Sequence, residues 1–247
     1  MSGRVVAAAL AAVLILSGCA ARNQDAAERP LVVVLFDVSK STRDPEIRDR
    51  YLSAFSQVVD AVEAEHGTVV GDVIDDNPLA HSSYPIDATF EACDPLTDNK
   101  LECDDRSTTT HDELTTAARQ ILDGVPAQPG TDIHDGVRLA ERVFAAYPEA
   151  TSRSLVLLSD MVEHSRLLRV GSAGFDGSAS LDALAAADAV PDLHGVDVYV
   201  VGAGVTSSSD LPATRILAIQ TFWQGFFIAA GADLPPERYG AAFVRFP

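Results

Sequence analysis

Short apolar runs alternate along this chain with longer stretches whose apolar residues recur every three or four positions. The run Leu31-Val32-Val33-Val34-Leu35-Phe36 is continuous and rich in β-branched residues, which predicts a central strand buried on both faces. Asp44-Pro45-Glu46 then reads as a helix start, with Asp44 as cap and Pro45 in the first turn. The helix carries Tyr51, Phe55, Val58, Val59 and Val62 on one face to about His66, and Gly67 is expected to end it. Further strands are predicted over 68–74, 154–159 and 197–201. Helices are predicted over 111–122, over 133–147 with Val137, Ala140 and Phe144 at helical spacing, weakly over 181–190, and over 213–230. In the last of these, Phe222, Trp223, Phe226 and Phe227 read as core packing rather than as a groove for a partner. Periodicity is lost between residues 75 and 109, where Pro, Asp, Asn, Ser and two cysteines concentrate; the expectation there is an insertion or long loop. A Gly- and Ser-rich stretch over 171–180 is expected to be mobile. Alternating strands and helices define an α/β fold, a doubly wound, mostly parallel sheet covered on both faces. In such sheets ligands bind at the carboxyl ends of the strands, so the polar residues just after each strand matter most.

The first residues differ in kind. Arg4 precedes the apolar run Val5 to Leu16, which has the length of a signal-peptide core and is too short to span a bilayer. It ends in Leu16-Ser17-Gly18-Cys19, which closely resembles the bacterial lipobox. That resemblance implies cleavage before Cys19, a diacylglycerol on its thiol and a chain anchored to the membrane with its folded part outside the cytosol; an ordinary secretory signal with an incidental cysteine is the alternative. Residues 1–18 then form the signal, 19–30 a polar tether and 31–247 the folded domain with the insertion over about 75–109. Export makes Cys93 and Cys103 a disulfide pair. Two close cysteines also suit a metal, but no His or second cysteine pair lies at a zinc spacing from them.

Composition narrows the function classes. The formal net charge of −18 disfavours nucleic acid, whose phosphates call for clustered Lys and Arg, and makes an anionic lipid surface repel the body of the domain. Most of the carboxylates read simply as solubilising charge.

Directly after the first strand comes Asp37-Val38-Ser39-Lys40-Ser41, three oxygen side chains alternating at a strand's carboxyl end. Hard cations such as Mg²⁺ take oxygen ligands in octahedral geometry, and alternation brings these side chains toward one side. A helix cap supplied by Ser41 or Asp44 is the competing reading. Downstream, Pro129-Gly130-Thr131-Asp132 precedes a helix, and Leu157-Leu158-Ser159-Asp160 ends a strand. Together these resemble the metal-ion-dependent adhesion site of the von Willebrand factor A (vWA) family, over about residues 31–230. The resemblance implies the Rossmann-like vWA fold and one Mg²⁺ or Mn²⁺ ion shared by Asp37, Ser39, Ser41, Thr131 and Asp160. It implies direct ligation by Ser39 and Ser41, by Thr131 in the ligand-competent state, and contact through water for Asp37 and Asp160. An Asp or Glu from a partner protein would complete the octahedron, as in adhesion and assembly proteins of that family. Many members follow the second aspartate with Gly, where this chain has Met161; Asp132 is carried over as a neighbour only.

Other readings are weaker. A scaffold lipoprotein with a vestigial metal site is the second non-enzymatic reading. Phe36-Asp37-Val38-Ser39 faintly resembles haloacid-dehalogenase-like phosphatases, but Ser39 stands where a second Asp must act as general acid. There is no G-x-S-x-G and no H-E-x-x-H, so no enzyme is expected. His66, His81, His111, His134, His164 and His194 read as surface or loop residues, with His164 closest in sequence to Asp160. Gly202-Ala203-Gly204 lacks the third Gly of a dinucleotide loop and reads as a tight turn, so no nucleotide is expected.

The lipobox-like segment makes a direct prediction. The membrane fraction should contain a chain that begins at Cys19 and carries a diacylglycerol mass, and Cys19→Ser should release it. Equal membrane retention of the Cys19→Ser protein would rule the anchor out.

Overall fold

A computed structural model describes residues 29–94, 96–124, 130–206, 211–243 and 246. The signal-like segment, Cys19, most of the tether and Pro129 lie outside the described residues. The chain builds one six-stranded sheet in the order β3-β2-β1-β4-β5-β6. Its strands are β1 (Leu31–Asp37), β2 (Thr68–Ile74), β3 (Ile86–Thr89), β4 (Arg153–Leu158), β5 (Val196–Val201) and β6 (Tyr239–Gly240). All pairings are parallel except β2 with β3. The helices are α1 (Pro45–Ala64), α2 (Lys100–Gly124), α3 (Ile133–Ala146), α4 (Gly177–Ala186) and α5 (Ala213–Ala229). This is the doubly wound α/β class that the alternation of patterns implies, and the strand order reverses between β1 and β4.

Period-two alternation divides the core. In β1, Val32, Val34 and Phe36 face α1 and α2, where they meet Tyr51, Phe55, Val58, Val59, Val62, Leu114, Ala118 and Ile121. Leu31, Val33 and Leu35 face the other layer, which holds Val137, Ala140, Phe144, Trp223, Phe226 and Phe227. All seven β1 residues are buried, as befits a central parallel strand. The α5 aromatics are core, with Trp223 fully buried and its indole N–H donating to the Met161 carbonyl at 2.9 Å. Among the described residues no helix is long and apolar enough to cross a membrane.

Local signals explain most boundaries. Asp44 caps α1 by accepting the Glu46 N–H at 2.9 Å. The left-handed residue at its far end is His66 (φ 53°), not Gly67. Gly67 donates back to the Val62 carbonyl at 2.8 Å, and its missing Cβ makes room for Pro30. The segment expected as loop contains edge strand β3 and the first turns of α2. The four residues of β3 are too few to show alternation, and the N-terminal part of α2 is solvated nearly all round, so it carries no apolar stripe. Cys93 and Cys103 form the disulfide, with Cα atoms 6.1 Å apart, and tie the preceding loop to that first part of α2. Closing so short a loop is worth about 3 kcal/mol in the chain-entropy account. α4 starts four residues earlier than its apolar pattern, because Asp176 accepts the Ala179 N–H and caps a helix that begins inside the Gly- and Ser-rich stretch.

The Gly202-Ala203-Gly204 turn has both glycines at positive φ, 100° and 71°. A Cβ on Gly202 would stand 2.7 Å from the Tyr51 ring and 3.0 Å from the Ser159 carbonyl. Gly202→Ala should therefore lose about 2–4 kcal/mol, combining left-handed strain with overpacking. Urea denaturation measures it, and a loss under about 0.5 kcal/mol would contradict this account of the turn.

Candidate functional site

The carboxyl ends of β1 and β4 lie side by side, since Phe36 pairs with Leu158. Asp37 and Asp160 leave the sheet together and are both essentially inaccessible. Asp37 Oδ1 accepts the Ser39 N–H at 2.9 Å, a tight side-chain turn that bends the chain away from the sheet. Its Oδ2 accepts the Ser159 hydroxyl at 2.7 Å, and that hydroxyl accepts the Met161 N–H at 3.0 Å. Thr42 closes the turn by donating to the Asp37 carbonyl at 2.7 Å. The alternation in Asp-x-Ser-x-Ser then places the Ser39 and Ser41 hydroxyls 3.0 Å apart. Asp44, not Ser41, is the cap of α1.

Asp160 Oδ1 accepts the Val162 N–H at 2.9 Å. Its Oδ2 is buried with no hydrogen bond of ordinary geometry, while the Ser41 and Thr206 hydroxyls lie close enough to hold its pKa down. Thr131 is buried and arrives by another route. Its backbone exchanges hydrogen bonds with His164, at 3.1 and 3.0 Å, which fastens the start of α3 to the loop after Asp160. The neighbouring Asp132 N–H donates to the Asp75 carbonyl beyond β2, at 2.8 Å. Asp37, Ser39, Ser41 and Asp160 thus form one cluster, and main-chain bonds tie Thr131 to its edge.

The electrostatics of the cluster follow from burial. Desolvation raises the Asp37 pKa against hydrogen bonds from Ser159 and Ser39. Asp160 is pushed up to about 7, first by burial and then by the Asp37 charge, against Ser41, the Val162 N–H and Thr206. Tyr51, whose hydroxyl is buried without a hydrogen bond, is raised by burial and by both aspartates. The arrangement presents two buried carboxylates and a pair of hydroxyls, all hard oxygen donors.

Several participants had no strong signal in the sequence. Ser159 sits in the strand-end tetrapeptide but earns its role only by facing Asp37 across the sheet. Met161 stands where the vWA pattern has Gly, and it takes the left-handed backbone that Gly adopts freely, φ 64°. Its complete burial and the Trp223 bond to its carbonyl hold that conformation. Glu163 is buried and accepts the backbone N–H of His134 at 3.0 Å. His134 corrects the expectation of a surface or loop histidine: it lies in the first turn of α3 and is buried. His164 meets the site only through its backbone.

No family model and no curated protein sequence matches the chain. Among solved structures it is similar to the manganese-loaded TRAP protein of Plasmodium vivax, at 10% identity over 87% of this chain and 69% of that one, TM-score 0.44. It is also similar to the pilus adhesin SpaC of Lactobacillus rhamnosus GG in an open conformation, at 12% identity over 82% and 30%, TM-score 0.39. Proximal thread matrix protein 1 of the mussel byssus matches at 17% identity over 70% and 37%, TM-score 0.38. This chain therefore spans less than half the length of the mussel protein.

The raised Asp160 pKa fixes a pH dependence. Between about pH 4 and 7 the unfolded chain ionises this carboxyl and the folded one keeps its proton, so stability falls as pH rises through that window. Asp160→Asn should remove up to about 4 kcal/mol of that fall in metal-free protein. Parallel stability–pH curves for wild type and variant would overturn the assignment.

Proposed function

We propose that this chain is a divalent-cation-dependent protein-binding module of the vWA type, carried on a lipid-anchored exported protein. One observation carries the reading: two buried carboxylates, Asp37 and Asp160, converge on the Ser39–Ser41 hydroxyl pair at the sheet's switch point. Burying two carboxylates close together is costly, and a cation is the partner their charge calls for.

The donor set suits Mg²⁺ or Mn²⁺. It is all oxygen, with neutral hydroxyls beside carboxylates already engaged by N–H and O–H donors. Ser39 and Ser41 would hold the ion, Asp37 and Asp160 would balance its charge, and Thr131 would join when a ligand is captured. A cation so held supplies electrophilicity toward an incoming carboxylate, which makes an Asp or Glu of a partner protein the expected ligand. The Thr131–His164 backbone bridge supports this role for Thr131, because it couples the start of α3 to the loop that follows Asp160. Cys19 would hold the domain at the membrane. No nucleotide or nucleic acid enters this reading.

Metal binding should be of micromolar to millimolar strength and should stabilise the fold by mass action, by about 2.7 kcal/mol at one hundred times Kd. Calorimetric titration of Mn²⁺ into metal-stripped wild type, Asp37→Ala and Ser41→Ala should show binding lost in the first variant and weakened in the second. Thr131→Ala should weaken EDTA-sensitive partner capture more than metal binding. Identical heats and melting shifts for wild type and both cluster variants would refute the metal site.

A further inference from the structure

A second group of metal-ligand side chains lies at the start of α3, and the candidate site makes no use of it. Asp132 caps the helix by accepting the Asp135 N–H at 2.9 Å. His134 follows in the first turn, buried to 1% exposure and edge-on to Phe226. The ligand atoms of Asp132, His134 and Asp135 all lie within 4.8 Å of one another.

The tautomer of His134 follows from chemistry. Nε2 is 2.7 Å from the carbonyl oxygen of Ala189. A carbonyl has no proton to offer, so Nε2 carries the hydrogen and donates it. In the neutral ring, Nδ1 then presents a bare lone pair. Nδ1 is buried, makes no hydrogen bond, and points at Asp135 Oδ1 3.4 Å away. A lone pair facing a carboxylate oxygen is unstable without something positive between them. A histidine that donates one ring N–H to a backbone carbonyl and aims the other nitrogen at carboxylates has the usual surroundings of a metal-bound imidazole.

The local charge favours a cation. Asp132 and Asp135 bring two carboxylates to this imidazole, and Glu163 accepts the His134 backbone N–H. The positive end of the α3 dipole and Arg138 oppose a cation here. Arg138 reaches Asp135 Oδ1 at only 3.3 Å, with 42% of its side chain exposed, so it can move aside. The 3.4 Å between Nδ1 and Oδ1 is close to the ~3.3 Å separating two tetrahedral ligands at ~2.0–2.1 Å from one ion. Asp135 is 26% exposed and leaves the group open to solvent on one side.

We propose that Asp132, His134 and Asp135 form a second divalent-cation site, taking Zn²⁺ or a similar nitrogen-preferring metal through His134 Nδ1. The mixture of imidazole and carboxylate separates it from the all-oxygen cluster at Asp37, since Mg²⁺ gains little from a nitrogen ligand. The ion would bridge the first turn of α3, one residue beyond Thr131.

The test uses the ¹⁵N-histidine-labelled full chain with excess Mg²⁺ present, so that occupancy of the Asp37 cluster does not confuse the result. On titration with Zn²⁺, His134 Nδ1 should move to a metal-bound shift while Nε2 keeps its proton. Asp135→Asn, at a partly exposed position, should weaken that response about tenfold or more. His134→Gln should abolish the corresponding heat in calorimetry. Following His134 itself separates this site from the Asp60–Glu63–His111 group on the surface between α1 and α2. A proton on Nδ1 that Zn²⁺ fails to displace at neutral pH would overturn the proposal, as would an unchanged response in Asp135→Asn. Either result would leave the Asp37 cluster untouched.

Discussion

Two carboxylates held out of water at neighbouring strand ends govern the upper face of this protein. Burial disfavours each charge and raises Asp37, and the Asp37 charge adds to burial in pushing Asp160 up to about 7. The structure offsets this with short-range donors: the Ser39 N–H and Ser159 hydroxyl on Asp37, and the Val162 N–H on Asp160. Each of those donors comes from a turn that must adopt one backbone path to supply it. The tight bend after β1, the left-handed Met161 and the position of Ser159 are therefore linked consequences of one electrostatic constraint.

The segment from Ser159 to Ser165 links that constraint to the rest of the fold. Met161 gives its carbonyl to Trp223 of α5, His164 bonds the backbone of Thr131, and Glu163 caps the first turn of α3. Gly204 in turn donates to the Asp160 carbonyl from the loop after β5. Three parts of the chain distant in sequence thus share one loop, and a change in how Asp160 is partnered has direct mechanical routes to α3 and α5.

How much of this was legible in the sequence varies by element. Long, buried elements announced themselves: β1 through its unbroken apolar run, α1 through its cap and stripe, α5 through its aromatics. The first half of α2 did not, because a solvated helix tied down by a disulfide carries no apolar period. β6 did not either, being a two-residue pairing that only the presence of β5 creates.

The sequence by itself determined which residues could bear the chemistry, since the alternation in Asp37-Val38-Ser39-Lys40-Ser41 and the strand-ending Ser159-Asp160 are local patterns with local causes. It also determined the alternation of layers, because burial on two faces demands continuous apolar strands. Only the tertiary structure decided that β1 and β4 are neighbours, and so that carboxylates more than one hundred residues apart face each other. Only it decided that Ser159 serves Asp37, that Met161 takes a left-handed backbone, and that His134 is buried with one nitrogen on Ala189 and the other toward Asp135. Those outcomes depend on which groups lose water together, and desolvation is a property of the packed assembly that no single stretch of chain carries.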